Sequence, residues 1–259
     1  MKVVVFQGGL GNQLFQYAYY SYLYRKYKKI TYIYVGNSHN GFELTKYFEV
    51  QNFNRAHLVF EKLFRLIKKC YMHNIKFLWS DENSDSVSLY SYGYWLNKKF
   101  LSNEIIEFKK FTLMPRNLNV FNLIKAKNSV SIHIRRGDYL LPQFYNIFGN
   151  ICTPQYYEKA IEIVKERIDN ICYFIFSDDI SWAKENIKLE NMIFIDWNTG
   201  NDSIYDMFLM SKCKVNIIAN STFSFWAAYL NDSSQIVIYP KIWYNTHTPD
   251  IFPETWIPL

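Results

Sequence analysis

Apolar and polar runs alternate along the chain in a rhythm of short strands and helices. Residues 3–6 (VVVF) form an apolar, largely β-branched run of the kind buried on both faces of a parallel sheet. Gly8, Gly9 and Gly11 interrupt it, and the pattern over 12–27 predicts a helix ending in basic residues, which suit a helix C-terminus. A strand at 31–35 follows. From 37 to 128 the pattern is less regular, with helical stretches near 57–70 and 102–108 and a Tyr/Trp-rich segment at 90–95 between them. The second half is cleaner, with strands expected at 129–134, 171–176, 192–195, 215–219 and 236–239. Helices open at Pro154 behind Thr153, behind Asp179, behind Ser203 and at Ser224, running to about 168, past Trp182, to 211 and to 231. Strands alternating with helices predict an α/β fold with parallel sheets and helices on both faces. Two halves meeting near Asn128, 1–128 and 129–259, are expected, without internal repeats or low-complexity linkers.

A chain of 259 residues with 49% hydrophobic and 20% charged residues can bury a substantial core, which excludes a disordered chain. The 19% aromatic content could serve sugar or base stacking, but a core loaded with Tyr and Phe accounts for it without any ligand. A net charge of +6 and a pI near 8.9 favour an anionic ligand or membrane surface and are not by themselves a nucleic-acid footprint. Lys62, Arg65, Lys68 and Lys69 alternate with Leu63, Phe64, Leu66 and Ile67, the pattern of an amphipathic helix with a cationic face. Such a face is solvated or meets anionic lipid head groups. Cys70, Cys152, Cys172 and Cys213 form no C-x-x-C pair and read as small core residues in a reducing compartment, with no disulfide or zinc implied. The N-terminus lacks a signal-peptide pattern and no apolar run reaches spanning length, so the expectation is a soluble cytoplasmic chain, with peripheral contact at the inner face of the plasma membrane left open.

Ligands of parallel α/β sheets bind at the carboxyl ends of strands, which singles out four loops. In His133-Ile134-Arg135-Arg136-Gly137-Asp138-Tyr139, His133 and Arg135 share a strand face, and guanidinium forks suit a pyrophosphate. Pairing of Arg135 or Arg136 with Asp138 as a structural ion pair is the alternative. Gly8-Gly9-Leu10-Gly11-Asn12-Gln13 is neither a dinucleotide fingerprint nor a Walker loop, yet its amides at a helix N-terminus could approach an anion; a tight turn is the alternative. In Ser177-Asp178-Asp179 the last residue reads as a cap, leaving Asp178 free for a guanine edge. Asn220-Ser221-Thr222-Phe223-Ser224-Phe225 joins a strand to a helix and offers either caps or phosphate-binding amides. No D-x-D metal motif occurs.

The segments GGLGNQLFQYA, YGYW, HIRRGDY, FSDD with Trp182, and NSTFSFWAAYL, in this order, resemble the bacterial α-1,2-fucosyltransferases of glycosyltransferase family eleven. The resemblance implies a GT-B-like pair of Rossmann-type halves, with the site in the cleft between an acceptor-side 1–128 and a GDP-sugar-binding 129–259. It also implies a metal-free reaction with no cofactor, using GDP-fucose as donor and inverting the fucose anomeric carbon. The acceptor it implies is a galactose-terminated oligosaccharide of cell-surface polysaccharide synthesis, whether or not that acceptor is lipid-linked; no nucleic acid is implied as a partner. By motif, Arg135 holds the β-phosphate, while His133 and Asp178 approach the guanine or ribose. Gly11, Asn12, Arg136, Ser221, Thr222, Ser224 and Phe225 contact the pyrophosphate or sugar. The chemistry falls to Arg135, Asp138 and His133, with Asp138 as base or, if the phosphate itself takes the proton, as the residue that orients Arg135. Leu96-Asn97 stands where the family often has Gln-Ser, and Phe225 where it often has a second Trp.

Overall fold

β1 (Lys2–Phe6) is buried along Val3, Val4, Val5 and Phe6, as its unbroken apolar run requires. The computed structural model to which it belongs describes residues 2–36, 40–71, 78–82, 88–101, 106–233 and 236–259. These fall into two compact units, 1–109 and 110–259. In the first, α1 (Leu10–Tyr27), β2 (Ile30–Tyr34), α2 (Leu44–Tyr47), β3 (Phe48–Glu49), α3 (Leu58–Tyr71), β4 (Trp79–Ser80), β5 (Tyr90–Tyr92) and β6 (Glu107–Phe108) follow β1. A parallel sheet of order β2-β1-β5-β4 is joined by a short antiparallel β3–β6 pair. The aromatic surplus is packed internally: the Phe6, Tyr32 and Phe53 rings stack or meet edge-on at 4.0–5.5 Å, which bears out the core reading.

The second unit begins with α4 (Pro115–Ala126) and β7 (Asn128–Ile134). Then come α5 (Pro142–Phe148), α6 (Pro154–Lys165), β8 (Ile171–Ser177), α7 (Ile180–Asn186), β9 (Met192–Ile195), α8 (Ser203–Met210), β10 (Val215–Ile217), α9 (Thr222–Tyr229), β11 (Ile236–Tyr239) and β12 (Ile257–Pro258). The parallel sheet has order β12-β11-β10-β7-β8-β9, so the chain winds outward in both directions from β7 and the order reverses between β7 and β10. That reversal is the switch point of a doubly wound Rossmann-type sheet, where a ligand sits outside the carboxyl ends of the strands.

β7 alternates as a two-sided strand should. Val130, Ile132 and Ile134 join Tyr157, Ala160, Val164, Ile175 and Ile217 in an apolar core. Its opposite face is buried yet polar. Asn216 donates to Ser131 Oγ at 2.7 Å and to the Met210 carbonyl at 2.8 Å, while Asn231 donates to Asn216 Oδ1 at 2.8 Å. Ser131 and Asn216 thereby have partners, so their burial adds little desolvation cost.

Several expectations from sequence are corrected. The two units divide at 109/110 and not near 128, because α4 packs against α8 and β7 and so belongs with the second sheet. Helix 102–108 lies partly outside the described residues, and Glu107–Phe108 is a strand. Asp179 caps α7 through a 3.1 Å bond from Trp182 N, as read, but Ser203 is the first residue of α8 and not its cap. α9 begins at Thr222, two residues earlier than expected. Cys213 is buried, whereas Cys152 and Cys172 are only half-buried; these three thiols are free.

Candidate active site

Parallel pairing of β7 with β8 sets Ile134 opposite Ser177, so Arg135 and Arg136 leave one strand beside Asp178 and Asp179 leaving the next. The result is an interlocked set of charges. Arg135 Nη2 reaches Asp138 Oδ1 at 2.7 Å and Arg135 Nη1 reaches Asp178 Oδ2 at 2.9 Å. Burial works against the Arg135 cation, but the charges of Asp178 and Asp138 outweigh it and raise its pKa, keeping the guanidinium charged. Asp178 Oδ1 also accepts the Arg136 amide at 2.8 Å, so both oxygens of that carboxylate are engaged. The expectation of an Asp178 free for a guanine edge is therefore corrected: its carboxylate ties the ends of β7 and β8 together. A Cβ on Gly137 would lie 2.7 Å from Asp178 Oδ2, so any larger residue would push that carboxylate aside.

Arg136 is held apart from Arg135. Its Nε donates to Asp179 Oδ2 at 3.1 Å and its guanidinium sits 4.3 Å from the centre of the Trp182 ring. The residues after Arg136 form a 3-10 turn, Gly137–Leu140, that carries Asp138 back to Arg135 and sends Tyr139 toward β10. Tyr139 lies 5.4 Å from the Arg135 guanidinium and donates to the Asn220 carbonyl at 3.0 Å, which links the β7 loop to the β10 loop across the switch point. The Asn220 side chain donates to the carbonyls of Phe148 and Trp243 at 3.2 and 3.1 Å. Arg135, Arg136, Tyr139, Phe148, Trp182 and Asn220 line a cavity of about 210 Å³ within the second unit. Cys152 also lines it, but burial pushes its thiol up to about 12, so it is protonated and no nucleophile at neutral pH.

His133, one residue inside β7, is buried, and its Nδ1 has no hydrogen-bond partner. Burial, helped by the Arg135 charge, pushes its pKa down to about 3, so it is a neutral imidazole at physiological pH and not an imidazolium acid. Ser221 precedes the first turn of α9 and makes no side-chain cap; Thr222 is the first helical residue. Two sequence expectations fail here. Ser224 is fully buried, its hydroxyl turned onto the carbonyls of Ser221 and Ala219 at 3.2 and 3.4 Å. Phe225 is fully buried among Trp226, Tyr229, Phe252 and Trp256, and packs the core instead of offering a ligand surface.

In the first unit, the glycine turn is Gly8–Gly9, with Gly8 at φ +77°. Gly11 and Asn12, expected within the turn, already belong to α1, where Gly11 is buried and Asn12 half-buried. The polar residues beside them are structural: Gln13 donates to Gly8 O and Gly41 O at 2.9 and 2.8 Å and accepts from Glu43 N at 2.9 Å. Sequence reasoning named Tyr139 within its motif but gave it no role, and it missed the whole of α5. Pro142 and Gly149, bracketing a helical stretch, were the available signals for that helix. Among the described residues no cluster of His, Cys, Asp or Glu could hold a metal ion, and no helix is long and apolar enough to cross a membrane.

Over 99% of both chains the protein is 33% identical to the alpha-1,2-colitosyltransferase of Escherichia coli. It is 30% identical to the O-antigen biosynthesis glycosyltransferase WbnK of Escherichia coli over 97% of this chain and 98% of that one. Galactoside alpha-(1,2)-fucosyltransferase 2 of Mus musculus is 29% identical over 42% of this chain and 32% of its own length. Among solved structures, Escherichia coli ADP-heptose LPS heptosyltransferase II superposes with a TM-score of 0.52 at 12% identity, covering 100% of this chain and 90% of that one, a likeness of fold that marks the architecture as GT-B-like. The model of glycosyl transferase family 11 matches residues 77–259, which include the β7, β8 and β10 loops, and the chain belongs to that family.

Proposed function

We propose that this chain transfers L-fucose from GDP-β-L-fucose, with inversion, to the 2-hydroxyl of a terminal β-galactoside in the assembly of an O-antigen-type cell-surface polysaccharide. The observation that carries the reading is the Arg135 guanidinium, fixed at the switch point on the wall of the cavity. As the bond from fucose C1 to the β-phosphate oxygen breaks, its electron pair moves onto the diphosphate. A guanidinium aimed at that oxygen stabilises the growing charge.

The two carboxylates around Arg135 differ in their anchoring, which supports giving them different roles. Asp178 is tied by the Arg136 amide as well as by Arg135 and holds the guanidinium in place. Asp138 meets Arg135 through Oδ1, with its side chain 37% exposed. It is the partner that an arriving diphosphate displaces. Once displaced, its carboxylate takes the proton of the attacking galactose hydroxyl as the new C1–O bond forms. GDP leaves, and a β-linked donor yields an α-linked product. For His133, which is neutral, has a buried Nδ1 without a hydrogen-bond partner and does not line the cavity, the reading assigns no more than a hydrogen bond to the nucleotide. The charge supplied by Arg135 makes a divalent metal unnecessary in this reading.

A second reading, in which the transferred sugar is colitose, is favoured by the full-length similarity to an alpha-1,2-colitosyltransferase. Colitose is fucose lacking its 3-hydroxyl. Incubation with GDP-fucose, GDP-colitose and GDP-mannose in parallel, with lactose as acceptor, distinguishes these readings by NMR of the product. An α-1,2-fucosyl product supports the proposal, product from GDP-colitose alone selects the second reading, and product from GDP-mannose alone overturns both.

A further inference from the structure

α3 carries three lengthwise strips of different character. Phe64 and Ile67 are buried and Phe60 half-buried, joining Val3, Val5, Ile33 and Tyr90 in the core of the first unit. A quarter-turn away, Val59, Leu63 and Leu66 follow the i, i+4, i+7 spacing of one helical strip, yet they are 55%, 40% and 60% exposed. Beside them, on the outermost line, stand Lys62, Arg65 and Lys69, all exposed. The sole acid of this helix, Glu61, is taken up by Arg65 at 3.0 Å and by Arg55 at 3.6 Å. Lys68 turns the other way, over the Tyr92 ring and onto its hydroxyl at 2.9 Å. Among the described residues neither Lys62 nor Lys69 is in an ion pair.

Aliphatic side chains left in water in a row cost free energy in proportion to their area, so a face built this way needs an occupant. We propose that α3 lies on an anionic lipid bilayer, with Val59, Leu63 and Leu66 entering the interface and Lys62 and Lys69 pairing with lipid phosphates. Charge decides against a second copy of the chain, because a two-fold contact would set this cationic ridge against itself. Residue chemistry decides against a protein partner: the strip offers Leu, Val and Lys, without the aromatic anchors on which protein interfaces depend. A helix lying flat, apolar on one flank and basic on the next, is the form that binds at the head-group level. The inference is independent of which sugar is transferred.

The test is co-sedimentation of the full chain with phosphatidylcholine vesicles, with and without roughly 30% phosphatidylglycerol, at low and high salt. Binding should require the anionic lipid and fall as salt rises. Lys62→Gln/Lys69→Gln should weaken it on the order of thirtyfold, the worth of two interfacial cations. Leu63→Ser/Leu66→Ser should weaken it on the order of tenfold or more through lost apolar insertion. Both variants should keep their circular dichroism and their GDP release in solution. Equal binding to both vesicle types, no binding, or variants that bind as the parent does would each overturn the proposal. A change of mass in light scattering for Leu63→Ser/Leu66→Ser would give the strip to a second copy and overturn it equally.

Discussion

Replacing Arg135 by Lys keeps a positive charge but removes the fork. In the structure two different nitrogens of one guanidinium reach two different carboxylates, Nη2 to Asp138 at 2.7 Å and Nη1 to Asp178 at 2.9 Å, with the side chain 28% exposed. An ammonium is a single point on a flexible stem and cannot hold both carboxylates while aiming at a phosphate oxygen between them. Much of the unspecific attraction for a diphosphate, about 4 kcal/mol for a unit charge at 4 Å and an effective dielectric near 20, survives the change. What is lost is a placed donor that strengthens as charge builds on the leaving group, a loss of about 2.7 kcal/mol, or roughly a hundredfold in kcat. The fold should tolerate the substitution. Two partly exposed ion pairs contribute on the order of 1 kcal/mol, which moves the melting midpoint of a unit this size by roughly 2–4 °C. Steady-state GDP release with lactose as acceptor, paired with GDP affinity by fluorescence titration, separates the two effects. Turnover should collapse while GDP affinity changes less than tenfold, roughly the limit set by the retained charge. Turnover within about threefold of the parent in a folded Arg135→Lys protein would refute the role given to the guanidinium.

Gly137→Ala forces the Asp178 carboxylate aside, since the new methyl would lie 2.7 Å from Oδ2; displacing the anchor of Arg135 by about an ångström should lower kcat on the order of a hundredfold, with circular dichroism unchanged. Asp206, on α8, has its pKa raised to about 8 by burial, against a lowering bond from Asn198 at 2.7 Å. The folded chain therefore holds a proton that the unfolded chain has released above the ordinary carboxylate range. Stability contributed by this group is full at low pH and lost as pH rises toward about 8, at up to about 1.4 kcal/mol per unit. Asp206→Asn should accordingly match the parent in urea midpoint near the bottom of that range and exceed it in alkaline buffer; equal midpoints throughout would contradict the protonated carboxyl. Chelation by EDTA should leave transfer undiminished, and a strict divalent-ion requirement would remove the metal-free mechanism.

Much of the second unit could be read from the chain alone. Residues 192–195 and 236–239 are strands with the bounds expected, because a short apolar, mostly β-branched run between turn residues has few other stable forms. Asp179 caps its helix because an N-cap acts within three residues, a distance sequence can see. Arg135 falls at a strand end for the same local reason. Nothing local, however, says what Arg135 touches. Its contact with Asp178 spans more than forty positions and exists because the β7–β8 register sets Ile134 against Ser177; a slip of one residue would turn the pair to opposite faces. Ser224 and Phe225 read as ligand contacts, with a helix cap as the alternative for the serine, and only the packing of α9, with Phe225 set against Phe252 and Trp256, turned both inward. The boundary moved from 128 to 109 because α4, unremarkable as a sequence, buries Val120 and Ile124 with the second unit. The sequence by itself determined the local elements and the residue types at the strand ends, since propensity and capping act over a few residues. Which of those residues meet, and which face inward, was decided by the tertiary structure, because sheet register and burial are properties of contacts between distant segments.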